Sequence, residues 1–280
     1  MSWRTIASKD YHESKDSRLV RYLLYLFVVA CLIGGYVFPV FTTGEVTKDR
    51  FAGFMTGTIT LLLPLLAILL SYNAIVGERE SGRLALLLSL PHDRRDVVLG
   101  KLVGRGAFLT LGVVVGLLGA GALVIYPFGS ISVPSTLSYL AYLLLTLAFG
   151  AVYFGIGLTI STATVSKQRA TVAAFGVFFV FVIVWDAIRD GSAFLLEQAG
   201  LIDGTLPQEL PEWLLFLHGA EPGMLYERII EGFFEGSESG PYLSPDAPWY
   251  LGEWVALVVF LVWAVVPLLV GYRRFEVTDL

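Results

Sequence analysis

The stretch Tyr72–Arg105 reads YNAIVGERESGRLALLLSLPHDRRDVVLGKLVGR, and its reading decides how the chain is organised. Two long apolar runs, residues 51–74 and 97–126, converge on it, and a short amphipathic segment ringed with charge lies between them. Leu84, Leu87 and Leu88 recur at i, i+3 and i+4 and make one apolar stripe. Glu78, Arg79, Glu80 and Arg83 mark the polar turn before it. Pro91 stops the pattern, which predicts a short surface helix over about 78–90. Asp93-Arg94-Arg95-Asp96 has the form of an N-cap followed by an acidic third residue, and it opens the next run. Lys101 and Arg105, one helical turn apart, can reach the membrane interface and suit anionic lipid as readily as a partner. So many charges in so short a connector point to a surface on which a partner pushes; the plainer alternative is an interfacial anchor helix.

Outward from this stretch, composition sets the class. Apolar residues make up 56% of 280 and charged residues 15%, against about 25% charged in soluble domains, and the mean hydropathy is +0.72. This balance describes an all-α integral membrane protein. The net charge of -5 and the absence of a basic cluster exclude a nucleic-acid partner. Cys31 is the single cysteine, so neither an internal disulfide nor a Cys/His zinc site can be built.

Six apolar runs are near the roughly 20 residues that cross a bilayer: 19–41, 51–74, 97–126, 137–160, 170–185 and 254–270. Residues 1–18 form a polar tail too long for the start of a signal peptide. With six spans both termini share a side. That side holds fifteen of the nineteen basic residues, including the 72–105 stretch, which places it and both tails (1–18 and 271–280) in the cytoplasm of a cell-membrane protein. The other side carries the region 186–253, with thirteen acidic and two basic residues. Its apolar pieces, at 193–196, 213–217 and 224–226, are too short to span and predict short helices on or dipping into the outer interface. Its acidity suits a cation, a basic partner or a high-salt habitat. Trp249, Tyr250 and Trp254 read as interfacial anchors. Pro64 falls mid-run and should kink its helix unless neighbours compensate. Gly53/Gly57, Gly100/Gly104 and Gly112/Gly116 fit the spacing of close helix contacts, and Ser161, Thr162 and Thr164 read as hydroxyls bonded to their own helix or capping its end.

No enzyme reading finds support. His12, His92 and His218 fall on separate segments, no G-x-S-x-G elbow occurs, and Gly100-Lys101 is followed by Leu102 instead of Ser or Thr. A P-loop is therefore missing from the sequence, and any ATP and Mg belong to a partner subunit.

The string from Glu78 to Lys101 resembles the signature of ABC-2 type permeases: an acidic E-x-E-x-G-T-L start, then L-L-S-x-P-x-x-R, then a hydrophobic pair and G-K. Glu78, Glu80, Gly82, Leu84, Leu87, Leu88, Ser89, Pro91, Arg94, Gly100 and Lys101 match it, and Arg83 stands where Thr is usual. The ending GYRRFEVTDL is also similar to the family's. The resemblance implies one transmembrane domain over 1–280, paired with a second permease copy, each resting its first cytoplasmic loop on an ATPase subunit. Carried over by position, the coupling segment is 78–91, with Glu78, Arg79, Glu80, Arg83, Leu87, Pro91 and Arg94 as the residues facing the ATPase or holding the connector rigid. Export predominates in the family. Copper-processing-type subunits have similarly arranged loops, a subgroup that no residue here selects. A scaffold that docks a cytoplasmic partner without transport is the alternative.

Overall fold

Within a bilayer each backbone amide must find its partner inside the chain, which leaves the apolar runs only helix. The computed structural model describes residues 3–41, 48–88, 93–128, 133–206, 210–235, 241–243 and 247–277, and no strand occurs among them. The helices in chain order are α1 (Trp3–Asp16), α2 (Arg18–Phe41), α3 (Lys48–Ser71), α4 (Val76–Glu80), α5 (Arg83–Leu88) and α6 (Arg94–Phe128). They continue with α7 (Val133–Ala163), α8 (Lys167–Phe178), α9 (Trp185–Gln198), α10 (Glu212–His218), α11 (Pro222–Ile230) and α12 (Glu253–Val277).

Among the described residues, five segments are long and apolar enough to cross a membrane: Arg18–Phe41, Arg50–Glu80, Arg94–Val124, Thr136–Ala163 and Glu253–Glu276. The sixth is bent. Lys167–Ile183 meets Trp185–Gln198 at 64°. The bend follows a π-helical turn at Phe179–Ile183, where the Val184 N–H reaches back five residues to the Phe179 carbonyl at 2.9 Å. The sequence places the end of this span at about 185, and the turn comes at Val184. Pro64 and Pro267 both lie inside continuous helices.

Helix α6 packs against α1 and α2, α3 against α7, and α7 against α12. Small residues set the closest approaches. A Cβ on Gly35 of α2 would lie 2.6 Å from the Ala120 carbonyl oxygen of α6, and one on Gly104 of α6 would lie 2.3 Å from that of Ala7 in α1. Of the paired-glycine spacings, Gly100/Gly104 receives α1 and Gly112/Gly116 receives α2, whereas Gly57 faces open space.

Residues 3–16, read from the sequence as part of a polar tail, are thus a helix laid on the start of α6. Ile6, Ala7, Asp10 and Ser14 are its buried face. Connector, α1 and the C-terminal end of α12 gather at one end of the bundle, the basic end; α9, α10 and α11 build a cap at the other, acidic end.

Gly35→Val and Gly104→Val are expected to lower stability by about 1–3 kcal/mol through overpacking. Gly57→Val should be close to neutral, as thermal unfolding of the purified variants will show.

Candidate functional site: a charged connector tied to three helices

The connector forms two short helices where the sequence predicts one over 78–90. Helix α4 ends because Gly82 takes the left-handed conformation at φ +71, with the Ser81 N–H on the Gly77 carbonyl and the Gly82 N–H on that of Arg79. Ser81-Gly82 is a helix-stop signal that the leucine periodicity hides. Helix α5 then sets off with Leu84 1% exposed and Leu87 half-buried against the core, so these two residues of the apolar stripe face the bundle. Pro91 lies outside the described residues.

The start of α4 is capped from another helix. The Ile75 and Val76 N–H groups donate to Ser161 Oγ of α7 at 2.9 and 3.0 Å. Thr162 and Thr164 bond within their own helix as expected, but Ser161 does not serve only its own: it holds the connector. In return, Arg79 donates to the Thr164 carbonyl at 2.8 Å, where a cation suits the C-terminal end of α7.

Glu78 and Lys101 meet in the middle of this end. Lys101 Nζ is 2.9 Å from Glu78 Oε2 and 3.3 Å from Asp10 Oδ2, with the Lys101 and Asp10 side chains fully buried. Arg105 Nε lies 2.8 Å from Asp10 Oδ1, and its NH1 donates to the Leu70 carbonyl at the end of α3. Lys9 completes the ring at 2.9 Å from Glu78 Oε1. Burial opposes charge on Lys9, but its hydrogen bond to Glu78 and the charges of Glu78, Glu13 and Asp10 prevail and raise its pKa. Lys101 and Arg105 therefore do not reach out to lipid headgroups. Their partner, Asp10, lies 91 residues back from Lys101, in a segment whose polarity hides its helix.

The remaining sequence-selected residues divide by exposure. Arg94 donates to the Phe275 and Glu276 carbonyls and so caps the end of α12. Glu80 and Arg83 are exposed. They border an open polar cleft of about 470 Å³, shared with Glu13, Glu78, Arg105 and Lys167.

A second constellation sits under the outer cap. Helix α11 wedges Tyr226, fully buried, against α7, where its hydroxyl meets that of Thr146 at 2.8 Å and its ring stacks on Phe149 at 4.6 Å. Arg228, 2% exposed, donates to the Gly219 and Leu251 carbonyls and stacks over Tyr242, closing the cap. Glu221 caps α11 through the Met224 N–H and accepts from Tyr153 Oη at 2.7 Å. A cavity of about 190 Å³ opens beside these residues, lined by Thr60, Tyr153, Trp185, Asp186, Glu221 and Glu227 among others. Burial, reinforced by the charges of Glu221, Glu231 and Asp186 and only partly offset by Arg189, pushes Glu227 up to about 7. Burial raises Glu221 as well, against the hydrogen bonds it accepts.

Removing one member of a buried ion set leaves the rest uncompensated, so Lys101→Met should cost about 3–5 kcal/mol. Lys9→Met, at the solvated edge, should cost about 0–1 kcal/mol. Chemical unfolding of the two variants side by side measures the contrast. A raised carboxylate pKa favours the native state at low pH and loses that advantage as pH rises through the native value. Stability should therefore fall between about pH 4.5 and 7 on account of Glu227, and Glu227→Gln should flatten that part of a melting-temperature profile.

The family model described as "ABC-2 family transporter protein" matches residues 4–280. The chain is 36% identical over 231 residues to a protein of Stutzerimonas stutzeri named "Probable ABC transporter permease protein NosY", covering 78% of this chain and 76% of that one. It is 29% identical over 279 residues to the protein of the same name from Pseudomonas aeruginosa, covering 97% of each. With five to six candidate spans among its described residues, the chain belongs to the ABC-2 transporter family as a multi-pass permease subunit of an ABC transporter, a role that implies an ATPase partner.

Proposed function

We propose that this permease is an exporter subunit whose segment 78–91 couples ATP hydrolysis in a cytoplasmic ATPase to movement of the spans. Fifteen basic residues against four support an orientation with both termini and the basic end in the cytoplasm. The single observation that carries the coupling reading is the division of labour among the connector's charges. Glu78 is bound into the bundle by Lys9 and Lys101, whereas Glu80 and Arg83, on the same short stretch, face outward over a polar cleft. A push on the exposed pair is delivered to α1, α6 and α7 through Glu78, Ser161 and Arg79 without first compressing a flexible loop.

Two such permeases pair in this reading, and the path runs between them. Its wall residues, mostly Leu, Val, Ala, Gly and Phe, suit an amphiphilic cargo without naming one. ATP and Mg are bound by the partner, with the permease itself supplying no catalytic group.

The test is a charge reversal. Glu80→Arg with Arg83→Glu should leave insertion and thermal stability unchanged and weaken binding to the cognate ATPase about tenfold, roughly 1.4 kcal/mol. Permease-stimulated ATPase activity in proteoliposomes should fall with it. Unaltered stimulation would remove this pair from the docking surface.

A further inference from the structure

Helix α9 is loosely held. Of its residues only Ala193 is buried, in a small cluster with Ile202 and Leu214 that stands apart from the main core. The helix follows the π-helical turn and the 64° bend, which make Val184 a hinge. Three polar contacts hold it down on the cap. Trp185 Nε1 donates to the His218 carbonyl at 3.1 Å, Arg189 reaches Met224 Sδ at 3.4 Å, and Ser192 Oγ lies 2.9 Å from His218 Nε2. Elements with so few buried apolar contacts are the ones that open locally.

Two of these contacts meet at His218, the last residue of α10, which is 6% exposed. The Ser192 hydroxyl has one proton, and it goes to the Arg189 carbonyl at 2.9 Å. His218 Nε2 must therefore donate to Ser192, which leaves Nδ1 as a bare lone pair. Nδ1 is enclosed and has no hydrogen-bond partner. A proton added there would make a buried, charged N–H without an acceptor. Among the charges on the elements around the ring, Arg189 of α9 repels an imidazolium and outweighs the attraction of Asp190. Arg228 of α11 is bonded to the neighbouring Gly219 carbonyl, Tyr242 to that of Leu215, and Glu221 is turned to Tyr153 and the Met224 N–H. Burial first, then Arg189, hold His218 below the usual histidine range.

We propose that α9 is a strap over the acidic end of the bundle, hinged at Val184 and latched by neutral His218, and that protonation of His218 releases it. The strap closes the cavity under the cap, to whose wall α9 gives Trp185 and Asp186 and α11 gives Met224 and Glu227. The latched state disfavours the proton, so the latch is whole above about pH 6.5 and weakens as pH falls below it. Neither the ATPase nor the orientation of the chain enters, so failure here is separable from failure of the coupling reading.

Hydrogen exchange of the α9 amides in the full-length permease in lipid nanodiscs, corrected for intrinsic pH dependence, measures the opening between about pH 8 and 5. Glu227 titrates in this range with the opposite sign, so the series is run in a Glu227→Gln background. Opening of α9 should rise as pH falls, by at most about tenfold per pH unit, the limit for one proton. His218→Gln keeps a donor for Ser192 but cannot titrate, and the rise should vanish. Arg189→Gln, at a partly exposed position, removes the repulsion and should shrink the rise without abolishing it. Nitrogen-15 imidazole shifts above the titration should place the His218 proton on Nε2. A flat profile in the parent, an undiminished rise in either variant, or a proton on Nδ1 overturns the proposal.

Discussion

Lys101 cannot be buried alone. A fully enclosed ammonium inside a membrane bundle needs carboxylates within reach, and Asp10 and Glu78 supply them from two segments that are otherwise unrelated in sequence. Meeting that need dictates much of the basic end. Helix α1 must lie on α6, closely enough for Gly104 to touch its backbone, and the connector must fold back so that Glu78 points inward. Such an ion set contributes little net stability, because desolvation consumes most of the Coulomb attraction. Its contribution is to make one arrangement of α1, α4 and α6 far better than any other, since each alternative strands a charge.

From that constraint follows the stiffness of the connector. A surface loop of this length, held only by its leucines, could slide over the bundle. Here the start of α4 is fixed by Ser161, its side by Glu78 and its far side by Arg79 on the end of α7. Arg94 fixes the start of α6 to the end of α12 in the same way, a side chain closing the carbonyls of another helix. Cross-helix capping lets short helices persist that could not survive by themselves, five and six residues being well below the length at which an isolated helix is stable. At the acidic end Arg228, Glu221 and Tyr226 do the corresponding work for α11.

How much of this was legible depends on the range of the interaction. Apolar runs are local properties, and they gave the candidate spans, the short outer helices and the place of the connector between the second and third runs. The stretch from Glu78 to Lys101 was sufficient to resemble the right family. The break at Gly82 was written in Ser81-Gly82 but was outvoted by the leucine stripe that follows it. What could not be read were the pairings: Asp10 with Lys101, Glu78 with Lys9, Ser161 with Val76. Each joins residues 69 or more apart, and nothing in a single sequence distinguishes a carboxylate that will be buried from one left in solvent. Residues 3–16 illustrate the cost. Only Ile6 and Ala7 are apolar on the buried face, because the face is completed by an aspartate and a serine whose partners lie elsewhere.

The central claim is that α1 and the connector move as one body when the ATPase acts. Spin labels at the exposed positions Ser8 and Ser81, in a Cys31→Ala background, report the distance between them by double electron–electron resonance in the assembled transporter. A single narrow distribution, unchanged between nucleotide-free and ATP-trapped states, is the result this account predicts. A shift of about 5 Å or more, the rise of one helical turn, would mean that the connector slides past α1 and would contradict it.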